Sequence, residues 1–570
     1  MITNIYNKIK RFGLFSLLFP LSALLFLSSC SDFLEVLPMN EVVLENYWTE
    51  KKDVTSVVNG CYEALETSDV ITRMGVWGEL RSDNIIAGAN VSNDFNELLK
   101  ENILQTNDMC KWAKFYDIIN RCNTVIHYAP RVQALDPNYT EAELRANIAE
   151  VSAIRALSYF YLIRTFRDVP YTTVPSIDDS QNYILPASPF EDVLDSLITN
   201  LESIKNDAVR RYYQDDSPNA YQNSSRITRN FIYTLLADLY LWKGDWDNTI
   251  KYCDMVLDYK RQQYQEMLDR EGNISDIDLF GDIPLILEKP AGTNNSGHVY
   301  NEIFGTGNSF ESIFELYFTA NQDVKNSWVN SYYGNNNNVL GNLGVPDLLM
   351  DQVPQGSNSI FRAKDCRAYE SIEPSNSSYA ISKYTRTEVS FSTQTVKTYN
   401  DVKLQASRRA QSDANWIIYR MSDIILMKAE AEIERGPEYY TEAFTLINTL
   451  NKRAHNVTRS QVSADTLKLE SYNASRSDMI ELLLAERQRE FLFEGKRWYD
   501  LVRVSRREGN TARLSSHAIE KYKTGKNVIK IKMSDPNYIY FPYAKSELKV
   551  NPLLKQNPAF NKGEDSELTK

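Results

Sequence analysis

The stretch 226–258, RITRNFIYTLLADLYLWKGDWDNTIKYCDMVLD, decides the fold. From Arg226 to Trp242 apolar residues recur every three to four positions, the spacing that gathers them on one face of an α-helix. Lys243-Gly244-Asp245 makes a turn, and Trp246 to Asp258 resumes the pattern. The stretch reads as a helical hairpin. The scheme recurs in Met421 to Glu434, Gly436-Pro437 and Thr441 to Ala454. In Asn147 to Phe166 the residues Ile148, Val151, Ile154, Leu157 and Tyr161 form one stripe, while Ala149, Ala153 and Ala156 let a neighbour approach closely. Asp168-Val169-Pro170 stops that helix. Lys51 to Glu66 and Lys111 to Tyr128 supply a fourth pair, with a long insertion between its members.

The small, aromatic and glycine positions of the opening hairpin resemble a tetratricopeptide unit. Such units stack to bury their apolar faces, so four hairpins predict a mostly α protein built as a short solenoid, its hairpins mainly within 46–259 and 416–455. The region of about 276–414 departs from this pattern. It is rich in Asn, Gly, Ser and Tyr, with brief strand-like runs such as Ser312 to Phe318. Loops this long on a rigid frame are functional or disordered, and the aromatic content argues for function.

The first thirty residues read as a leader. Lys8, Lys10 and Arg11 precede an apolar run from Phe12 to Leu27 that ends in Leu27-Ser28-Ser29-Cys30. That run is shorter than the roughly 20 apolar residues of a membrane span, so 1–29 is expected to be removed and 30–570 to form one body. A cysteine directly after Leu-Ser-Ser resembles the bacterial lipobox, in which the cysteine is acylated. One acyl chain anchors only marginally and two or more hold stably, so a multiply acylated Cys30 predicts a lipid-anchored, surface-exposed protein of the outer membrane. Asp32 and Glu35 are similar to the export signal of Bacteroidetes-type surface lipoproteins.

Composition narrows the function. Hydrophobic residues make 43% and charged residues 24% of the chain, and a mean hydropathy of -0.43 excludes a multi-span membrane protein. The net charge of -12 becomes more negative when the three basic leader residues are lost, and such a surface repels nucleic-acid phosphates. Beyond Cys30 the cysteines are Cys61, Cys110, Cys122, Cys253 and Cys366, an odd number without metal-ligand spacing. On one helix Cys110 and Cys122 would lie about 18 Å apart, beyond disulfide reach, and all five read as small buried hydrophobes. No metal or cofactor is expected. Two carboxylates about 5 to 10 Å apart could hydrolyse a glycosidic bond, yet nothing selects a pair among 75 Asp and Glu. His127, His298, His455 and His517 stand far apart, and no zinc signature, serine elbow or phosphate loop occurs. An enzyme is not expected.

Aromatics make 12% of the chain, and part of that excess suits recognition of a sugar. Sugars lay C–H faces on aromatic rings and offer hydroxyls to donors and acceptors. Two stretches carry that mixture. The first is Trp77 to Asn96, with Arg81, Asp83, Asn84, Asn93 and Asp94 around an Ala-Gly-Ala turn. The second holds Trp328, Tyr332, Tyr333 and the run Asn335 to Asn338, with Arg362, Arg367 and Tyr384 downstream. The prediction is a platform of Trp328, Tyr332 and Tyr333 beside Tyr384, with Asp83, Asn84 and one or both of Arg362 and Arg367 bonding hydroxyls. Glu486 to Asp500 reads as one helix laced by i,i+3 and i,i+4 ion pairs, with Arg155 and Trp498 locking helices together.

A series of short segments carries a family resemblance over nearly the whole mature chain. They are Cys30-Ser31-Asp32-Phe33-Leu34-Glu35, Val58-Asn59-Gly60-Cys61-Tyr62, Arg155 to Phe160, Asp168-Val169-Pro170, Glu311 to Leu316, Tyr419 to Ile424, Glu486 to Leu501 and Asn551 to Pro558. In this order they resemble SusD/RagB-type lipoproteins. The resemblance implies a mostly α-helical surface protein on four tetratricopeptide-like hairpins. It would capture oligosaccharide or polysaccharide without chemistry and act as the lid of a SusC-like TonB-dependent outer-membrane transporter. RagB-like relatives imply peptides as the alternative cargo. Phe541-Pro542-Tyr543 departs from the Pro-Ile-Pro common in the family, which touches only a local turn.

Overall fold

A computed structural model describes residues 47–561, apart from 178–182, 216, 289–296, 321–324, 336–338, 351–359, 363–364, 376–377, 392–403 and 456–466. Cys30 and the leader therefore lie outside the described residues. The helices that carry the argument are α1 (Lys51–Leu65), α2 (Ser68–Gly75), α3 (Asn93–Leu99), α4 (Ala113–Leu135), α5 (Glu141–Phe166), α6 (Phe190–Ile204), α7 (Arg229–Lys243), α8 (Trp246–Glu271), α9 (Met421–Arg435), α10 (Tyr440–Ala454), α11 (Arg476–Phe491) and α12 (Arg497–Glu508). A π-helical turn, Val76–Leu80, continues α2. The chain is mostly helical, as the apolar periodicity predicts. No helix among the described residues is long and apolar enough to cross a membrane.

Local chemistry sets the ends of these helices. Thr140 caps α5 by accepting from the Glu143 amide, and the Glu143 carboxylate accepts from the Thr140 amide in return. Gly244 closes α7 in the left-handed conformation at φ 82°, and Asp245 caps α8 by accepting from the Asn248 amide at 3.1 Å. Two helices outrun their predicted ends. α4 passes through Pro130 to Leu135, held by the packing of Ala129 and Val132 in the core, and α8 continues to Glu271 along a polar, partly exposed extension.

The predicted pairs all form: α1 packs on α4, α7 on α8 and α9 on α10, while α5 packs on α4 and α6. Arg155 on α5 donates to Asn123 of α4 at 2.7 Å and to Asn200 of α6 at 3.2 Å, so it does lock three helices. The five cysteines are buried, as expected of small hydrophobes. Cys110 sits in a short 3-10 turn ahead of α4 rather than on the helix with Cys122.

The loop-rich region contributes short antiparallel ladders. The strands that position the candidate site are β1 (Ile86–Ala87), β2 (Ser312–Leu316), β3 (Leu343–Gly344) and β4 (Trp416–Arg420). β2 pairs with β4, and every residue of both is buried. Because β4 runs straight into α9, this ladder welds the loop region to the helical body. Tyr419 completes the joint by donating to Asp238 of α7 at 2.7 Å.

Candidate functional site

The segment predicted as one helix over Glu486 to Asp500 is two. α11 ends at Phe491, the chain turns through Phe493 at φ 66° and Gly495 at φ 71°, and α12 starts at Arg497. Its charges accordingly reach across the fold more than along a helix. Only Arg489–Glu486 (2.6 Å) is an i,i+3 pair within it; Asp500 pairs forward with Arg503 (3.0 Å), and Arg487 reaches Asp500 at 2.8 Å across the turn. Glu490, almost wholly buried, accepts from Arg420 (2.6 Å), Ser422 (2.7 Å), Arg453 (2.9 Å) and Arg367 (2.9 Å). Burial alone raises a carboxyl pKa, but these guanidiniums reverse that and hold Glu490 well below the usual range. Glu494 is likewise held at about 2, burial being overcome by Arg420 and then Lys383.

This charged block absorbs much of the predicted site. Arg367 pairs with Asp365 (2.7 Å), Glu486 (2.7 Å) and Glu490 (2.9 Å), so it ties the loop region to α11 and does not face outward. Asp83 pairs bidentately with Arg497, at 2.9 Å to each oxygen; burial would raise it, but Arg497 holds it at about 2. Asn84 is wholly buried, donating to Glu79 at 2.7 Å and accepting from Gln488 at 2.8 Å. Arg81 also lies inside, bonded to Glu101 and to the Ile539 and Tyr538 carbonyls, with its guanidinium 4.4 Å above the Trp498 ring. Trp498 therefore does serve as a lock.

The predicted platform is core as well. Trp328 is fully buried between Gly75 of α2, Phe95 and Trp416. Tyr333 is fully buried and donates to the Phe493 carbonyl at 2.8 Å. Tyr384 stacks on Trp416 with ring centroids 5.5 Å apart and is 1% exposed. Burial pushes both tyrosine hydroxyls well above their usual pKa. These rings cannot stack on a ligand from outside, because a large ring is worth several kcal/mol to a packed core and is retained there. Of the predicted set, only Tyr332, half-buried, and Arg362, exposed, reach the surface. Asn336 to Asn338 lie outside the described residues.

The two predicted stretches do come together. β1 pairs with β3 through Ile86–Gly344 and Ala87–Leu343, and the Gly88 amide donates to the Asn342 carbonyl at 3.0 Å. Asn342 in turn donates to the Ser331 carbonyl at 3.2 Å, and the Tyr332 ring stacks on Phe95 of α3 at 4.8 Å. Side chains that stay exposed around this seam are Asn90, Ser92, Asn93, Ser331 and Leu340, beside the half-buried Tyr332. The result is a loop-built face with one aromatic edge, amides and two hydroxyls, held over a rigid block. Sequence reasoning missed Asn90, whose signal was its place in the turn after Ala87-Gly88-Ala89. Among the described residues no group of three or more His, Cys, Asp or Glu could hold a metal ion.

A mostly helical scaffold presenting a loop-built face is the class of protein this architecture defines. A profile of the SusD family matches residues 287–560. SusD-like protein P38 of Formosa agariphila is 25% identical over 508 residues, covering 84% of this chain and 89% of the relative. SusD-like protein P25 of the same organism is 23% identical over 560 residues, with 94% and 96% covered. A SusD superfamily protein of Bacteroides vulgatus superposes with a TM-score of 0.63 at 18% identity, over 90% of this chain and 100% of that one. The chain is thus similar to the SusD/RagB family, by the match over residues 287–560 and by these relatives and this fold. Members of this family are usually nutrient-binding, cell-surface companions of TonB-dependent transporters.

Proposed function

We propose that this protein is a cell-surface glycan-binding lipoprotein, anchored through Cys30, that captures oligosaccharide or polysaccharide for a SusC-like TonB-dependent transporter and covers its mouth. The observation that carries the reading is the junction of the two sugar-suited stretches at β1 and β3, which leaves Tyr332 beside Asn90, Asn93 and Ser331. A half-buried ring flanked by amides matches a sugar's C–H face and hydroxyls without any catalytic group. Enclosure between this face and the transporter supplies further contacts, so the affinity of the isolated protein is modest. The capture involves no bond making or breaking, and the protein is not an enzyme in this reading.

Peptide is the second cargo class, since amides also bond to a peptide backbone and the family includes RagB. Calorimetric titration of the purified protein with a panel of oligosaccharides and a mixed peptide pool separates the two. Saturable heat from one glycan class, weakened at least about tenfold by Tyr332→Ala with the melting temperature little changed, is the expected result. Heat from peptides alone moves the assignment to a peptide importer. A glycan affinity that Tyr332→Ala and Asn90→Ala both leave unaltered removes this face as the binding site.

A further inference from the structure

A second concavity lies away from the loop-built face, where the α7–α8 turn and the end of α12 meet the segment 536–540. It is a cavity of about 480 Å³, within the size range of small-ligand sites. Its wall has a charge sign opposite to that of the whole chain. Arg167, Lys243, Arg503, Arg506 and Arg507 line it against a single lining carboxylate, Glu191, whereas the protein carries a net charge of -12.

Acidic groups behind the wall, and Glu191 within it, hold Arg506 and Arg507 in place. Arg507 donates to Glu434 at 2.7 Å and Glu430 at 2.8 Å, and its guanidinium lies 4.7 Å from the centre of the Trp246 ring. Arg506 donates to the Tyr540 hydroxyl at 2.7 Å and to Glu191 at 2.5 Å, over the Phe190 ring at 3.8 Å. Each guanidinium has five N–H donors, so each retains donors beyond those bonds. Arg506 and Arg507 are only partly buried, and Lys243 is exposed. The aromatic side chains Trp242, Trp246 and Tyr540 complete the lining. Trp242 Nε1 and Ser505 Oγ, both belonging to lining residues, have no hydrogen-bond partner within the protein.

We propose that this cavity binds a carboxylated sugar, a uronic acid or similar sugar acid of about one or two rings, with its carboxylate on Arg506 and Arg507 and its ring against Trp246. Fixed guanidinium forks match a carboxylate, and they are already oriented, Arg507 by Glu430 and Glu434 and Arg506 by Tyr540 and Glu191, so little ordering is lost on binding. A bare oxyanion would use the forks and leave the aromatic wall unused. A neutral sugar would use the wall and leave the forks unused. An acidic sugar satisfies both. The proposal goes beyond the glycan-capture reading, which concerns the Tyr332 face.

Titration of the purified protein with digalacturonic acid, the corresponding neutral galactose disaccharide and sodium sulfate tests it. The expected result is saturable heat with digalacturonic acid, at least about tenfold tighter than either of the others and weakened by added salt. Arg506→Gln and Lys243→Gln, which leave the packed rings in place, should each lower that affinity at unchanged melting temperature. Equal heats from acidic and neutral disaccharide, sulfate binding as tight as the sugar acid, or no heat with digalacturonic acid would each overturn the proposal. So would digalacturonate binding that survives both cavity substitutions. Loss of that binding on Tyr332→Ala, with the cavity variants unaffected, would place the acid on the loop-built face and refute the cavity while leaving glycan capture intact.

Discussion

Trp328 shows how one residue type serves opposite ends. Its ring sits so close to α2 that a Cβ on Gly75 would meet it at 2.4 Å, and Trp416 and Tyr333 close the other sides. Truncating a packed tryptophan removes its buried area and leaves a cavity, so Trp328→Ala is expected to cost about 3–5 kcal/mol in urea unfolding. Tyr332→Ala, on a half-buried ring one turn later, should cost clearly less. Equal losses for the two would contradict this assignment of core and surface. Asp83 and Asn84 follow the same logic, since a buried carboxylate beside a guanidinium is committed to its partner.

At the scale of elements, the turn between α11 and α12 is the keystone of the candidate site. Glu79, in the π-helical turn after α2, accepts from the amides of Gly495 (3.0 Å) and Phe493 (3.4 Å), which fastens the turn to the segment leading into β1. The two backbones approach so closely that a Cβ on Gly78 would fall 1.7 Å from the Gly495 carbonyl oxygen. That atom is main chain and cannot rotate away. Gly78→Ala is therefore expected to destabilise by about 3 kcal/mol or more, the upper end of overpacking costs. Gly509→Ala is the control. Gly509, unlike Gly78, has a positive φ, 66°, but nothing lies within 4 Å of an added Cβ, so only the left-handed penalty of about 1–2 kcal/mol applies. Paired urea melts with similar losses would show that the α11–α12 turn can shift.

For the whole molecule, buried carboxyls set an acid-side profile. Burial pushes Glu79 from its usual 4.5 up to about 7, so the folded protein keeps a proton that the unfolded chain releases. Its contribution is complete below about pH 4.5 and is lost as pH rises toward 7. Asp83 and Glu494, held at about 2, contribute in the opposite sense: their stabilisation is present above the unfolded values and disappears as pH falls toward 2. Thermal melts across pH 2 to 8 should therefore show a maximum near pH 5. Glu79→Gln should flatten the limb between about pH 4.5 and 7, and an unchanged slope would count against a raised Glu79.

The sequence by itself determined the helices and their pairing, because a three-to-four-residue apolar period and the turn at Lys243-Gly244-Asp245 are local facts. It also marked the two stretches that meet at the candidate face. Only the tertiary structure decided which of their side chains face outward. Trp328, Tyr333 and Tyr384 have the composition of a sugar platform, yet burial is a property of what packs against a ring, and Trp416, Gly75 and Phe493 come from elements distant in sequence. The same holds for charge. Glu486 to Asp500 looks like a helix paired with itself because spacing is visible in a sequence, whereas Arg420, Arg453, Arg367 and Asp83, its actual partners, are brought to it by the fold.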